Sequence, residues 1–407
     1  MPFYLTTLFA VDATLKIEKD VEQRTRIAVV DGSAIQDKSA FKILLSDLKI
    51  SGHFLPDKVH YTGEISSNII LPTWKGQEYI LKYALTKSGG SKLLVRLLKA
   101  SDGSQLFKKS YAIPGVAKTP FLIHKAVSDI NNVLNFPDIS WINRYIVYAA
   151  YTTPGKSEIR LADYTFNYRK TIIRGGLNLF PKWADTKQRN LYYTSYNGII
   201  PTLYKLDIYT GAKSKVISSE GMLVCSDVSA DGSKLLLTMA PNGQADIYEL
   251  NLATGTKTRV TKFKGIDVNG RYMDNEQRVL FVSNRLGYAN VFKKSIHSSA
   301  TSQVVYYGRN NNACDASEEN IVYASRESNR AFGDNTFNIY LASSGSSNTR
   351  PITTTGSNQF PRFSRDGSIV LYLKQRGNRT SVGYTNLVSF QSLLFPYNGN
   401  KIQSIDW

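Results

Sequence analysis

Side chains that could do catalytic or metal chemistry are few and far apart in this 407-residue chain. Neither the nucleophile elbow G-x-S-x-G nor a Walker A or G-x-G-x-x-G string occurs, and the nearest matches, at 89–92 and 345–347, are serine and glycine turns. Four histidines are present, none with metal-motif spacing: His53, His60, His124 and His297. His124 falls near an apolar helical stripe, where packing is the more common role. We therefore predict no catalytic residue, no metal ligand and no cofactor.

A repeated strand, turn and strand accounts for most of the chain. In the stretch 359–373, Asp366 and Gly367 supply a tight turn, because glycine tolerates positive φ and aspartate bonds its own backbone. The apolar run Ile369 to Leu373 follows and is typical of a buried strand. Related stretches lie about 42 to 48 residues apart, a period typical of propeller blades. They are 140–149, 180–195, 227–238, 271–283 and 315–325.

The six repeats predict an all-β, six-bladed β-propeller over residues 137–407. The last residues, Gln403 to Trp407, resemble the opening of a seventh repeat with nothing after it. A closed propeller leaves no free sheet edge. We therefore expect the C-terminal strand to complete the blade that begins near Ile139, with Trp407 buried.

The segment before the repeats has a different period and predicts an α/β domain over residues 20–136. Arg26 to Val30 is typical of a strand, and Asp37 opens a helix with apolar residues at helical spacing. A second helix is expected with Thr119 as its N-cap and Pro120 at its first position. Pro137 marks the boundary, because the residue before a proline disfavours helix.

The first residues allow two interpretations. Residues 3–11 are apolar, but the first lysine is Lys16, so the basic start of an export signal is missing. They are either an export signal or an apolar first strand. Residues 1–19 are taken as an N-terminal arm or a signal remnant.

Net charge and cysteine content restrict the partners and the redox chemistry. The net charge of +18 is compatible with a polyanion partner or with solvated lysines, and its spread along the chain favours the second. No nucleic-acid-binding module is found, and we expect no nucleic-acid partner. Cys225 and Cys314 lie at or next to the same point of two repeats. We expect both to be buried and reduced, with a bridge between them as the less favoured alternative.

The loops before each inner strand of a propeller converge around the central channel. Here they are 176–179, 220–223, 265–268, 309–312, 356–359 and 399–402. They mix asparagine, glycine and apolar residues, which suits a protein-docking surface better than catalysis, although asparagine and glycine are also ordinary turn residues. The candidate partner-binding residues at this mouth are Asn178, Met222, Asp267, Asn311, Asn358 and Gln359.

From about residue 12 to 407 the chain resembles the TolB family, the periplasmic propellers of the Tol–Pal system. The repeat cores at 360–367, 229–235 and 180–183 resemble the family's P-x-W/F-S-P-D-G repeat, although blades three, four and five lack the proline. The stretch 47–54 resembles its D-L-x-x-S-G-x-F element. The α/β element joined to six blades, ending in a lone inner strand, carries most of the resemblance.

The resemblance implies a periplasmic, non-enzymatic adaptor that supports outer-membrane integrity and envelope constriction at cell division. The mouth would bind the peptidoglycan-associated lipoprotein Pal. The N-terminal arm, through Leu15 and Ile17, would contact TolA or pack between the domains. We expect a monomer, peripheral to the envelope and without a transmembrane segment.

Two other functions remain open from the residues alone. A propeller enzyme, a hydrolase or lyase with its site in the channel, would need two carboxylates with a histidine or tyrosine there. A polyanion-binding propeller would need its basic residues confined to one face.

Overall fold

The computed structural model describes residues 24–327, 336–344 and 348–407. Leu15 and Ile17, with the rest of the predicted arm, lie outside the described residues. Those described cluster into two compact units, one of residues 24–143 with 386–391, the other of residues 144–385 with 392–407. The predicted domain boundaries at 19/20 and 136/137 stay predictions.

The first unit is an α/β domain with one sheet and two helices. The sheet order is β2-β1-β4-β5-β6, with β3 also beside β1; β1 is parallel to β2, β3 and β4, and β4, β5 and β6 are antiparallel. The strands are β1 (Thr25–Asp31), β2 (Phe54–Pro56), β3 (Tyr61–Thr62), β4 (Tyr79–Lys87), β5 (Ser91–Lys99) and β6 (Gln105–Ile113). The helices are α1 (Lys38–Ile50) and α2 (Thr119–Val133), and short 3₁₀ turns occupy Pro72–Trp74, Val116–Lys118 and Ser140–Asn143.

Helix α1 begins as its sequence predicts, because the Asp37 carboxylate accepts a hydrogen bond from the Ser39 amide at 2.9 Å. The prediction for α2 is wrong by one residue: Lys118 is the N-cap and Thr119 already lies inside the helix. The Thr119 hydroxyl donates instead to the Val116 carbonyl at 2.6 Å. His124 is fully buried on α2, and its Nδ1 lies 2.8 Å from the Asp47 carboxylate, which supports the predicted packing role.

The second unit is a six-bladed propeller, as predicted, with four antiparallel strands in each blade. Blade 1 consists of β30 (Ile402–Asp406), β7 (Ile146–Thr153), β8 (Lys156–Ala162) and β9 (Arg169–Ile173). Blade 2 consists of β10 (Asn178–Trp183), β11 (Asn190–Ser195), β12 (Thr202–Asp207) and β13 (Lys213–Ser218). Blade 3 consists of β14 (Leu223–Val228), β15 (Lys234–Met239), β16 (Asp246–Asn251) and β17 (Lys257–Arg259).

The remaining three blades repeat the arrangement. Blade 4 consists of β18 (Asp267–Met273), β19 (Arg278–Ser283), β20 (Asn290–Ser295) and β21 (Thr301–Gln303). Blade 5 consists of β22 (Arg309–Ser317), β23 (Asn320–Arg326), β24 (Phe337–Ser343) and β25 (Thr349–Pro351). Blade 6 consists of β26 (Ser357–Phe363), β27 (Ile369–Arg376), β28 (Arg379–Asn386) and β29 (Ser392–Tyr397).

The turn between the first two strands of blade 6 forms for the predicted reason. Gly367 has φ +71°. The Ser364 hydroxyl donates to the Asp366 carboxylate at 2.5 Å and accepts from the Ile369 amide at 2.9 Å. Hydrogen bonds of the Ser364 side chain therefore satisfy polar groups of the turn that the strand pairing does not reach.

The C-terminal strand closes the propeller, as predicted. Strand β30 pairs antiparallel with β7, the inner strand of each blade contacts that of the next, and β26 contacts β30. Trp407 is only half-buried, which corrects the expectation of full burial. Its ring packs edge-on against Tyr384, with centroids 5.5 Å apart.

Both cysteines lie on inner strands, Cys225 on β14 and Cys314 on β22, and both are buried and unbridged, as expected. Burial raises the pKa of the Cys314 thiol to about 12, which suppresses the thiolate. Neither helix among the described residues has the length and the apolar run that crossing a bilayer requires.

Candidate binding site at the propeller mouth

The mouth is the end of the propeller where the inner strands begin. Because the first two strands of a blade are antiparallel, the loop before the first strand and the loop after the second lie at the same end. We call these two sets of loops the mouth loops. The turns between strands one and two and between strands three and four lie at the other end, called here the turn end.

Three of the predicted mouth residues are buried amides that hold their own loops. The Asn178 amide donates to the Gly175 carbonyl at 2.7 Å. That of Asn358 donates to the Thr355 carbonyl at 3.0 Å and to the Asn338 side chain at 3.1 Å. Asn311 makes the equivalent bonds, to the Tyr307 carbonyl and the Asn290 side chain, at 3.2 and 2.9 Å.

Asp267, the fourth predicted residue, holds its loop through an ion pair instead of an amide hydrogen bond. Its fully buried carboxylate accepts both bonds from one Arg285 nitrogen, at 3.0 and 3.1 Å. The Arg285 guanidinium lies over the rings of Phe263, Phe281 and Phe292, 4.9 to 5.2 Å from their centroids. All four residues are at most 2% exposed and support the mouth loops, and their predicted role in partner binding stays a prediction.

Met222 and Gln359 are the predicted residues that reach the surface. Met222 is 42% exposed, and Gln359 is partly buried beside Phe360. The mouth loops expose further apolar residues that sequence reasoning did not single out or noted only as loop members: Ile199, Ile200, Ile266, Leu286, Tyr306 and Tyr307. Exposed apolar residues gathered at one end are typical of a protein-docking surface.

A ring of alternating charges surrounds the channel and was missed at the sequence level. Each inner strand has a register shift near its midpoint, followed by one charged residue at an equivalent position opposite the second strand. In blade order from 1 to 6 these charged residues are Asp406, Lys182, Asp227, Arg271, Asp315 and Arg362. The signal was present in the aligned repeats, as a charge of alternating sign at one repeat position.

Ion pairs join neighbouring members of the ring. Lys182 Nζ lies 3.1 Å from Asp406 and 3.3 Å from Asp227. Arg271 lies 3.2 Å from Asp315 and 3.7 Å from Asp227. Arg362 has the weakest pairing of the three cations, with its Nε 3.9 Å from Asp406.

Backbone amides of the next blade hold the three carboxylates in place. Asp406, Asp227 and Asp315 accept bonds of 2.9 Å from the amides of Trp183, Tyr272 and Phe363, respectively. Burial raises the pKa of the Asp406 carboxyl, but the charges of the ring cations outweigh that effect and its pKa is lowered. The ring therefore links consecutive blades through ionised side chains.

The ring separates two cavities whose lining charges differ. The cavity at the mouth, called here the funnel, has about 220 Å³ and walls that include Phe180, Met222 and Phe360. The three ring cations and one ring carboxylate, Asp406, are among its lining residues. The cavity at the turn end has about 590 Å³ and is lined by all three ring carboxylates, with Lys182 as the one ring cation. Arg271 and Arg362 thus border the mouth cavity alone, Asp227 and Asp315 border the turn-end cavity alone, and Lys182 and Asp406 border both.

The loops at the two ends of the propeller also differ in charge: the mouth loops are mainly basic and the turn-end loops mainly acidic. In the described mouth loops the basic residues are Arg174, Lys262, Lys264, Arg285 and Lys401, and the acidic ones are Glu220 and Glu327. In the described loops of the turn end within the blades the acidic residues are Asp163, Asp185, Asp231, Asp274, Glu276, Glu318, Glu319 and Asp366. The basic ones there are Lys187, Arg189 and Arg365.

The described residues that line the two cavities do not combine two carboxylates with a histidine or tyrosine. The channel carboxylates are ion-paired and bonded to amides, and no histidine is among the described residues that line the two cavities. No group of three histidine, cysteine, aspartate or glutamate side chains suited to a metal occurs in residues 24–327, 336–344 or 348–407. What the mouth offers is shape, apolar surface and positive charge.

Comparisons with known proteins agree with this architecture. Residues 140–403 match the family described as the TolB beta propeller domain. The chain is 44% identical to the Tol-Pal system protein TolB of Wolinella succinogenes and 40% identical to that of Campylobacter jejuni, over 99% of this chain and 98% of each relative. The crystal structure of TolB from Acinetobacter baumannii superposes with a TM-score of 0.77 at 21% identity, over 94% of this chain and 96% of that one.

Proposed function

The chain belongs to the TolB family, and on that premise we propose that it is a non-enzymatic, periplasmic adaptor of the Tol-Pal system. The observation that carries the proposal is the 44% identity, over nearly the whole of both chains, to a relative named for that system. The propeller mouth would bind the lipoprotein Pal, and the arm of residues 1–19 would bind TolA through Leu15 and Ile17. In this role the chain works as a monomer.

The described mouth supports a docking role on physical grounds. Buried amides and the Asp267–Arg285 pair fix the loops before a partner arrives, which lowers the ordering cost of binding. Met222 and its apolar neighbours offer surface that loses contact with water on docking. Catalysis would instead need unpaired acid and base groups, and the channel carboxylates are paired.

Binding of purified, lipid-free Pal to the full chain tests the proposal. We expect saturable one-to-one binding by calorimetry, weakened at least about tenfold by Met222→Asp because a charge would enter the apolar contact. Val388→Asp is the matched control, since Val388 is 73% exposed in a turn-end loop and should leave the affinity unchanged. If Met222→Asp and Val388→Asp lose the same Pal affinity, or if the wild-type chain does not bind Pal, the mouth is rejected as the Pal site.

The arm is tested separately with the periplasmic part of TolA. Removal of residues 1–19 should abolish TolA binding, and Leu15→Asp with Ile17→Asp should do the same in the full chain. If the arm also biases the mouth, its removal changes the Pal affinity, because such coupling is reciprocal. An unchanged Pal affinity would remove the arm from that coupling while leaving each binding site in place.

A further inference from the structure

One edge of the sheet in the α/β domain is open. Strand β6 pairs with β5 on one side, and no strand of the described residues lies on its other side. From Phe107 to Ile113 its register with β5 runs without a shift, over a stretch that contains no proline. A long, regular edge presents a row of unpaired N–H and C=O groups to any extended chain that reaches it.

The other sheet edges among the described residues are protected against strand addition. In the α/β domain, β2 has three residues and ends in Pro56, and β3 has two. In the propeller, the outer strands β17, β21 and β25 have three residues each, and β29 contains Pro396. Register shifts interrupt the pairing of the outer strands β9 and β13. Short strands, prolines and irregular pairing are the usual protection of an edge, and β6 lacks all three from Phe107 onward.

Hydrogen bonds at the end of β5 show which backbone groups of β6 point outward. The Lys99 amide donates to the Ser104 carbonyl at 2.9 Å, toward β6, and the Ala100 amide donates to the Glu78 carbonyl at 2.8 Å, toward β4. This direction alternates along a strand, so the odd-numbered residues of β5 and their partners on β6 bond each other. The residues between those partners direct both N–H and C=O away from the sheet. They are all exposed: Lys108, Ser110 and Ala112.

The lysines of β6 differ in whether their charge is already paired. Lys109 Nζ lies 2.7 Å from the Asp129 carboxylate of α2. Lys108 points to the opposite face of the sheet, is exposed, and has no ion pair with another described residue. Its neighbour on β5 is Arg96, which is 7% exposed and donates to the Ile65 carbonyl at 2.6 Å. A carboxylate opposite Lys108 on an added strand would be stabilised by an unpaired positive charge.

Charge argues against a second copy of the chain on this edge. Pairing of two β6 strands would bring Lys108 and Lys109 of both copies into one ladder, and each chain has a net charge of +18. Like charges on paired strands are destabilising, and high net charge keeps copies apart. An acidic strand from another protein matches the edge better than β6 itself.

We propose that β6 binds an extended, acidic segment of another protein as an additional strand. The outward N–H and C=O groups of Lys108, Ser110 and Ala112 would supply the hydrogen bonds, and the Lys108 ammonium would face a carboxylate of the segment. In this mode main-chain bonds give the affinity, and alternate side chains give the specificity. The inference goes beyond the docking function proposed for the mouth and does not depend on it, because no mouth residue takes part.

A labelled ten-residue peptide of alternating glutamate and valine tests the edge, with fluorescence anisotropy on the full chain as the readout. We expect saturable binding that is at least about tenfold weaker for the counterpart with lysine in place of glutamate. Lys108→Glu should reduce that preference. If the glutamate peptide does not bind, or if the two peptides bind equally, the inference is overturned.

Ser110→Pro removes one outward N–H and obstructs an added strand. Proline is tolerated there because the lost N–H makes no bond to β5, so the melting temperature should stay within about 4 °C of wild type. The affinity for the glutamate peptide should fall at least about tenfold, whereas the matched control Ser110→Ala keeps the N–H and should leave it unchanged. Equal peptide affinity in wild type and Ser110→Pro would contradict strand addition.

Hydrogen exchange in the wild-type chain decides the question if Ser110→Pro does not fold. Bound peptide should slow exchange of the Lys108, Ser110 and Ala112 amides at least about tenfold, and should leave the Lys109 amide, which already bonds β5, unchanged. Unaltered exchange at the three outward amides would exclude an added strand.

Two other occupants of the edge would give distinct results. Self-association in sedimentation that Ser110→Pro abolishes would assign the edge to a second copy. Peptide binding that appears only after removal of residues 1–19 would assign it to the first residues of the chain itself. Either result overturns the inference of an acidic partner strand.

Discussion

The two ends of the propeller obtain their loop structure in different ways. At the turn end, each loop is held mostly by its own residues: Asp366 bonds Ser364 and Ser368, and Asn251 bonds the amides of Ala253 and Thr254. At the mouth, buried side chains such as Asn358 reach back into their loop and across to another strand of the propeller. The turn end is specified locally, and the mouth is specified by tertiary contacts.

The difference assigns different tasks to the two ends. Local turns leave their polar groups near water, so changing one of them disturbs little else. Buried amides free the mouth surface for apolar residues such as Met222 and Ile266, but each buried bond becomes costly to lose. The proposed docking surface therefore lies at the end where substituting a buried side chain costs more free energy of unfolding.

Breaking the charge ring gives the largest expected effect. Asp406→Ala removes the carboxylate that pairs with Lys182 and Arg362 and accepts the Trp183 amide. Lys182 keeps only its pair with Asp227, and Arg362 loses its ion pair. We expect the free energy of unfolding to fall by about 3–5 kcal/mol. Urea denaturation followed by circular dichroism measures it, and the exposed turn-end variant Asp366→Ala should lose within about 1 kcal/mol.

The pH dependence of the ring has a definite sign. Because the folded-state pKa of Asp406 is lowered, its contribution is present above the ordinary carboxyl pKa and is lost as pH falls through the lower folded value. Wild type should therefore lose stability below about pH 4 more steeply than Asp406→Asn, which has no proton to bind. Parallel acid profiles of the two proteins would contradict the ionised ring.

One substitution made at both ends compares them directly. Asn358→Ala removes a buried amide that makes three bonds, of 3.0 to 3.2 Å, and should cost about 2–3 kcal/mol of unfolding free energy. Asn251→Ala removes two turn bonds of 3.0 Å near the surface and should cost about 1 kcal/mol. If denaturant titrations give the two variants the same loss of unfolding free energy, the mouth and the turn end do not differ in how their loops are stabilised.

The features that could be predicted from the sequence are the locally specified ones, and those that could not depend on tertiary contacts. The Asp-Gly turns, the blade period and the closing strand were predictable, because each depends on local propensity or on the repeat itself. The burial of Asn178 and Asn358 was not, because asparagine before a strand is usually an exposed turn residue and its partners lie elsewhere in the chain. The conformation of Phe360, with φ +55°, also runs against its sequence, since a residue before proline favours the extended region.

The smallest expected effect is the titration of a single turn-end aspartate. The Ser229 hydroxyl and the Ser233 amide and hydroxyl all donate to Asp231, and these bonds lower its pKa to about 2. Its contribution is complete above the ordinary aspartate pKa of about 3.9 and is lost as pH falls toward 2. NMR titration of the Asp231 carboxyl should give that value in the wild type and return toward about 3.9 when Ser229→Ala and Ser233→Ala remove the two hydroxyls. An unchanged pKa in that variant would mean that amides, rather than side chains, hold the turn.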